Sequence, residues 1–293
     1  MALTLTEAAK LSNDIVLQGV IETIVKDSPV LQRLPFIDLV GNALTYNREN
    51  AAAGANWFAV GDTWVEGTPT FTQVTATLKI LGGDADVDQY LATTGSNVQD
   101  LEAAVVELKA KAVRYEFEDV FINGDGTANK FTGIKGGVIA GQTVSMGTNG
   151  ATLSLTKLDE LIDLVKPGRP DLLMMSKRSR RTLSGLVQAS GAFMETHQTE
   201  FGMFQEFYAG IPIGVSDFIG DADTQGAATN ASRVYALRFG EGAISGLQGP
   251  GGLQVERVGS LETKDAVRWR IKWYVGLAIF SDLSAAQLTG VLP

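Results

Sequence analysis

The sequence predicts an α+β protein built around a protruding hairpin, a long helix and closing β-strands. Three observations carry that prediction. Phe71 to Leu81 alternates Val74, Ala76, Leu78 and Ile80 with Gln73, Thr75, Thr77 and Lys79, the period of two expected of a half-buried strand. Val98 to Asn123 repeats Leu101, Val105, Leu108, Ala112 and Tyr115 at three- and four-residue spacing, which marks an amphipathic helix. Val267, Trp269, Ile271, Trp273 and Val275 alternate with Arg268, Arg270, Lys272 and Tyr274, again with a period of two.

Residues 1–39 read as an arm. Thr6 to Val25 places Ile15, Val16, Gly19, Val20 and Ile24 on one side of a predicted helix, and Pro29 and Pro35 bracket a short extended piece, Val30 to Leu34. Nothing in this stretch forms a core alone. Ala43 to Arg48 is the next predicted strand, and a long insert, NRENAAAGANWFAVGDTWVEGTPT, separates it from Phe71. Structureless loops beyond about 12–15 residues are uncommon in compact domains and usually have a job. This one carries Trp57, Phe58 and Trp64 among glycines and polar residues. Bulky apolar groups on a hairpin tip need a partner surface or become an aggregation hazard. Burial between chains is the favoured expectation for these three residues; burial beneath the chain's own core is the alternative.

The long helix spans about 40 Å at ~1.5 Å per residue. Asn97 is its predicted cap, and Gly124 and Gly126 stop it. After a glycine-rich region, Gly133 to Gly150, a short amphipathic helix runs from Thr156 to Val165 and ends at Pro167-Gly168. Asp171 to Met175 reads as a buried strand, Lys177 to Ala189 as a helix, and Ile211 to Phe218 and Arg233 to Phe239 as strands, together a compact α/β subdomain. Leu253 to Val258 is the expected antiparallel partner of the last long strand, across the Gly259 to Asp265 turn. No internal repeat and no linker between independent domains is visible, so the pieces interleave.

Composition narrows the function. Apolar residues make up 45% and charged residues 19% of 293, an ordinary globular balance. The 33 glycines exceed the usual ~7% of a chain and imply many turns. A net charge of −9 repels phosphate backbones, which disfavours sequence-reading nucleic-acid binding and still allows a wall that encloses nucleic acid without gripping it. The absence of cysteine excludes disulfides, thiolate metal sites and cysteine nucleophiles. A single histidine, His197, removes most zinc sites and nearly all Ser-His-Asp arrangements. No apolar run approaches the ~18 residues of a membrane span. Met1 to Lys10 lacks the basic start and apolar core of a signal peptide.

The chemical motifs are equally sparse. There is no Gly-x-x-x-x-Gly-Lys-Ser/Thr loop and no Gly-x-Ser-x-Gly elbow, and Gly240-x-Gly242 lacks a third glycine at dinucleotide-binding spacing. Asp84, Asp86 and Asp88, and separately Asn123, Asp125 and Thr127, open like calcium loops. The required sixth-position glycine and twelfth-position glutamate are replaced by Gln89 and Gly95 in one and by Ala128 and Ile134 in the other. They read instead as a solvated strand face and a helix-ending turn. Lys177, Arg178, Arg180 and Arg181 form the one basic cluster, read as a solvated helix start or as ion pairs to a neighbouring subunit, with phosphate binding the lesser alternative. His197 reads as a surface residue. No catalytic, cofactor-binding or metal-binding residue emerges, and an enzyme is not expected.

The order of elements resembles the HK97-fold major capsid protein family of tailed bacteriophages. Trp64-Val-Glu66-Gly67 followed by Phe71 to Leu81 looks like the returning strand of that family's extended loop. Asp84 to Thr94 leads into the long helix as the family's backbone strand does. Phe117-Glu-Asp-Val-Phe-Ile-Asn-Gly-Asp-Gly-Thr127, with Phe131-Thr-Gly-Ile134 behind it, is similar to the segment closing the family's spine helix, and Arg268 to Val291 resembles its terminal strands. The resemblance implies an N-terminal arm at 1–39, an extended loop at 40–85, a peripheral domain with the spine helix at 86–150 completed by return strands at 250–293, and an axial domain at 151–249. It further implies hexamers and pentamers closing an icosahedral shell around double-stranded DNA, without sequence-specific contact, in a virion assembled in the host cytoplasm. A portal is an implied partner; no charged coiled-coil segment precedes the arm, so either a fused scaffolding region was removed or, the favoured expectation, a separate scaffolding protein is used, and no cofactor or membrane is implied. Trp57, Phe58 and Trp64 are the expected subunit-interface residues. An encapsulin shell enclosing a cargo enzyme, or another phage structural part such as a tail tube, is the alternative.

Overall fold

The computed structural model describes residues 29–51, 53–89, 98–191, 193–198 and 204–293. In chain order its first strands are β1 (Phe36–Asp38), β2 (Ala43–Ala51), β3 (Thr70–Thr77) and β4 (Lys79–Asp88), followed by helix α1 (Val98–Asn123) and the single turn α2 (Ile134–Gly137). Strands β5 (Thr143–Ser145) and β6 (Ala151–Thr152) lead to α3 (Leu155–Leu164), β7 (Leu172–Met175) and α4 (Lys177–Ala189). Then come β8 (Glu195–Gln198), β9 (Phe204–Tyr208), β10 (Ile211–Val215), β11 (Asp223–Gln225), β12 (Ala228–Leu237), β13 (Ile244–Gln248), β14 (Gln254–Ser260), β15 (Ala266–Ile279) and β16 (Ala285–Leu292).

The first sheet is organised by β15. Its alternating Val267, Trp269, Ile271, Trp273 and Val275 all turn inward and are buried. Along one edge β15 pairs antiparallel with β4, from Ala266 opposite Asp88 to Val275 opposite Lys79. The other edge is shared: β14 takes the first half of the strand, as the sequence predicts, and β13 the second. Helix α1 lies against the inward face, where Phe117 meets Trp273 at a ring separation of 5.0 Å and Phe36 meets it at 5.3 Å.

Which side of α1 faces that sheet differs from the sequence expectation. The buried row is Val106, Ala110, Val113, Phe117, Val120 and Phe121. Leu108, Ala112 and Tyr115 point outward, Leu108 with 66% of its surface exposed. The side chains of Leu101 and Val105 lie outside the described residues, as does Asn97. The helix is apolar on more than one side, so periodicity alone offers two faces. The phenylalanines and valines match the indoles of β15 and bury more apolar area, which selects their side. At the C-terminal end Gly124 N–H still bonds to Val120 O at 2.8 Å, and Gly126 adopts φ +76, so the helix stops where its glycines predict.

The second sheet runs β5-β16-β12-β7-β10-β9-β8, with β6 and β11 added at its margins. Strand β7 explains its uninterrupted Leu-Leu-Met-Met run. Leu173 and Met175 pack with α3 and α4, while Leu172 and Met174 join the core that holds α1 and β15. A strand buried on both faces needs apolar residues at every position. The predicted helices and strands of this region are all present, with β10 ending earlier and β12 beginning earlier than expected.

Two further expectations are corrected. Val30 to Leu34 is not extended: Leu34 N–H bonds to Val30 O at 2.9 Å in a helical turn that buries Val30, Leu31 and Leu34 in the core. The helix expected over Thr6 to Val25 lies outside the described residues. The strand predicted from Phe71 to Leu81 is two strands. β3 pairs with β2, the ladder breaks at Leu78, and β4 pairs with β15. The change of partner shifts the alternation by one residue. Val74 and Ala76 are half-buried, yet Ile80, expected on their side, is 77% exposed.

Candidate assembly surface

The β2–β3 ribbon projects from the first sheet in antiparallel register from Ala43 opposite Thr77 to Glu49 opposite Phe71, then shifts by one residue at a bulge to place Ala51 opposite Thr70. Its root is fastened. The Tyr46 hydroxyl donates to Ile279 O at 2.8 Å, its ring lies 4.8 Å from Phe280, and Arg48 donates both to the Asp282 carboxylate and to Ile279 O. Burial raises the Tyr46 phenol above its ordinary value, with Arg48 opposing the shift. Neither residue stood out in the sequence, because a tyrosine and an arginine on a predicted strand carry no spacing signal.

The tip presents the three aromatic residues singled out above, and the chain's own core covers none of them fully. Trp57 has 102% of its reference surface exposed and Trp64 has 80%. Phe58 is half-buried because it stacks on Trp64 with ring centroids 4.6 Å apart. Val60 and Val65 are exposed beside them. The three therefore divide into a stacked pair that shapes the tip and a lone indole, Trp57.

The remaining sequence features find local partners. On the outer face of the first sheet, Asp84 and Asp86 of β4 stand directly across from Arg270 and Arg268 of β15 and accept two hydrogen bonds from each. Lys272 reaches Glu256 of β14 at 2.7 Å. The aspartates thus form a strand face, as read, and one tied by ion pairs. Asp125 accepts from Thr127 N–H at 2.9 Å and from its hydroxyl at 2.6 Å, a turn closing the end of α1. In the basic cluster, Lys177 pairs with Asp217, Arg178 with Asp221 and Arg180 with Glu206. For these three the acids belong to the chain itself, because the fold brings them to the start of α4, while Lys177 and Arg181 are exposed, as the solvated-helix reading expects. His197 lies on β8 with its ring edge-on to Phe207 at 5.0 Å. Among the described residues no group of acids or histidines is arranged to hold a metal ion, and no helix is long and apolar enough to cross a membrane.

Comparison with known proteins then places the fold. No curated protein sequence matches the chain. Among solved structures, the SrpI encapsulin from Synechococcus elongatus PCC 7942 is similar at 18% identity and a TM-score of 0.72, over 99% of this chain and 96% of that one. The capsid of an empty GTA particle aligns at 17% identity and a TM-score of 0.65 over 90% of both chains. A protein of Microbacterium phage Oxtober96 aligns at 16% and 0.65 over 91% of both. These likenesses show an HK97-like capsid fold. The sequence profile of the phage capsid family matches residues 11–289, nearly the entire length. The chain belongs to the phage capsid family.

Proposed function

We propose that the chain is the major capsid protein of a tailed bacteriophage, assembling through hexamers and pentamers into an icosahedral shell around double-stranded DNA. The observation that carries this reading is the hairpin tip. Trp57 and Trp64 stand exposed at the end of a ribbon anchored by Tyr46 and Arg48, an arrangement that costs solubility unless another subunit covers it. A standard interface removes about 1,600 Å² from water, and a shell subunit makes several, so modest contacts sum to a stable particle. Trp57, Phe58 and Trp64 are the interface residues on this reading. The net charge of −9 suits a wall that contains DNA without gripping it.

In the same proposal, residues 40–85 act as the extended loop, 86–150 and 250–293 as the peripheral domain, and 151–249 as the axial domain, with residues 1–39 as an arm. Two apolar clusters, one around α1 and β15 and one around α3 and α4, support two units, with strands crossing the bounds: β5 and β16 join the second sheet and β13 the first. A portal and a scaffolding protein complete the assembly, and the protein works by burying surface, with no catalytic step. The similarity to an encapsulin over 99% of this chain favours a second reading, a shell around a protein cargo. Electron microscopy of the purified protein tests the shell: closed icosahedral particles are expected, and tubes, stacked rings or persistent monomers would refute it. Nuclease-protected DNA inside native particles selects the viral reading; a protein cargo without DNA selects the other.

A further inference from the structure

A half-open cavity of about 360 Å³ lies at the root of the β2–β3 ribbon, where the ribbon leaves the body of the chain. The ribbon contributes one wall, and the turn after α1 together with α2 contributes another. The wall formed by the turn and α2 is bare because it is built on glycine. A Cβ on Gly137 would fall 2.5 Å from Ile279 Cδ1, and one on Gly126, which adopts φ +76, would fall 2.6 Å from Thr132 Oγ1. Phe131, Leu277 and Ile279, all largely buried, supply the apolar part of the lining.

The charge of this cavity runs against that of the chain. Its lining holds Arg48, Lys79 and Lys130 and no aspartate or glutamate, in a protein of net charge −9. Arg48 is engaged by Asp282, and Lys130 by Glu116 at 2.9 Å, both acids lying outside the lining. Lys79, fixed in the β4–β15 ladder opposite Val275, has no ion pair among the described residues. One positive charge is therefore left uncompensated at the cavity wall. Beside apolar walls such a charge attracts an anion more strongly than it would in open water. An apolar bed with a few placed polar groups is the usual make-up of a ligand pocket. Cavities of about 150 Å³ take up a single aromatic ring, and this one has about twice that room.

We propose that this cavity binds a small organic carboxylate with a body of one or two rings. The single negative charge of a carboxylate matches the single uncompensated ammonium of Lys79, with Arg48 and Lys130 adding to the positive field. The rings lie on Phe131, Leu277 and Ile279. A molecule held there touches ribbon and body at once, so it braces the ribbon beside the Tyr46 and Arg48 anchor. Because it binds the folded chain, it also raises the melting temperature. The inference concerns the single chain and does not depend on the shell reading.

Calorimetric titration of the full chain with 2-naphthoate tests this, with the neutral 2-naphthamide and inorganic phosphate as comparisons. The naphthoate is expected to bind saturably with a Kd of about 0.1 mM or tighter, the amide about tenfold more weakly, and phosphate more weakly still. Lys79→Gln is expected to weaken the naphthoate about tenfold, the loss of one charge-assisted contact, and to leave the amide unchanged. Unchanged amide binding also shows that the variant's cavity is folded. Ala76→Phe, which fills the cavity from the ribbon side, is expected to abolish both while circular dichroism reports a folded chain. Absence of saturable naphthoate binding by about 1 mM would overturn the proposal. So would equal affinity for naphthoate and naphthamide, phosphate binding as tight as that of the naphthoate, or naphthoate binding unaltered by Lys79→Gln.

Discussion

Arg270 holds the carboxylate of Asp84 with two hydrogen bonds, of 2.7 and 2.9 Å, directly across the β15–β4 ladder. Arg268 does the same for Asp86 one step along that face, at 2.6 and 2.8 Å. The hydrogen bonds from these guanidiniums hold both aspartates below their ordinary value of 3.8. A carboxyl whose folded value is depressed contributes stability above its unfolded value and loses it as pH falls through the folded one. The pairs are therefore intact at neutral pH and fade below about pH 4. Asp84→Asn/Asp86→Asn is expected to melt at a lower temperature than the unaltered chain near pH 7, with the gap closing in acid. An equal gap at about pH 7 and about pH 2.5 would show that the loss has another cause.

Glu118 should respond with the opposite sign. It is buried on α1, and burial raises its carboxyl above the ordinary 4.5, with a Ser216 hydrogen bond and the charge of Arg114 opposing. A raised folded value means the neutral acid is preferred, so its contribution weakens as pH rises from about 4.5. Glu118→Gln is expected to raise the thermal midpoint at neutral pH and to leave it unchanged near pH 3. Thermal scans at the two pH values decide the sign.

The core around Phe117 should be sensitive to truncation. Its ring meets Phe36, Phe121, Phe131 and Trp273 at centroid distances of 5.0–6.3 Å. Phe117→Ala is expected to cost about 3–5 kcal/mol, because it removes apolar burial and leaves a cavity among rigid rings. Denaturant unfolding of assembly-deficient chains measures it, and a loss below about 1 kcal/mol would place the packing centre elsewhere.

Strand β4 offers a paired contrast. Ile80→Ser is expected to change single-chain stability by less than about 0.5 kcal/mol, while Ile271→Ala on the facing strand costs about 2–5 kcal/mol. Equal losses at the two sites would contradict the phase change at Leu78.

The tip should matter to particles rather than to the folded chain. Replacing Trp57, Phe58 and Trp64 together with serine is expected to lower particle yield and particle melting temperature while the single chain keeps its secondary structure. Yield and thermal stability of particles equal to those of the unaltered protein would remove these residues from the interface.

The sequence by itself determined the elements whose environment is two-sided. The indoles and aliphatics of β15 alternate strictly with charges, so only one face could be buried, and β7 is apolar throughout because cores lie on both sides of it. The exposed aromatic tip was legible for a related reason: tryptophans set among glycines and polar residues have no neighbouring apolar pattern to join. Tertiary structure alone decided the rest. Helix α1 carries apolar residues on two sides, and its partner β15 chose the side of Phe117 over that of Leu108. Ile80 faces outward because its strand changes partner at Leu78, and a pairing change shifts side-chain phase without altering the local sequence. The root at Tyr46 and Arg48, and the acids that meet Lys177, Arg178 and Arg180, depend on residues distant in the chain. Local periodicity reports which faces are apolar; which of them meet is settled only when the whole chain closes on itself.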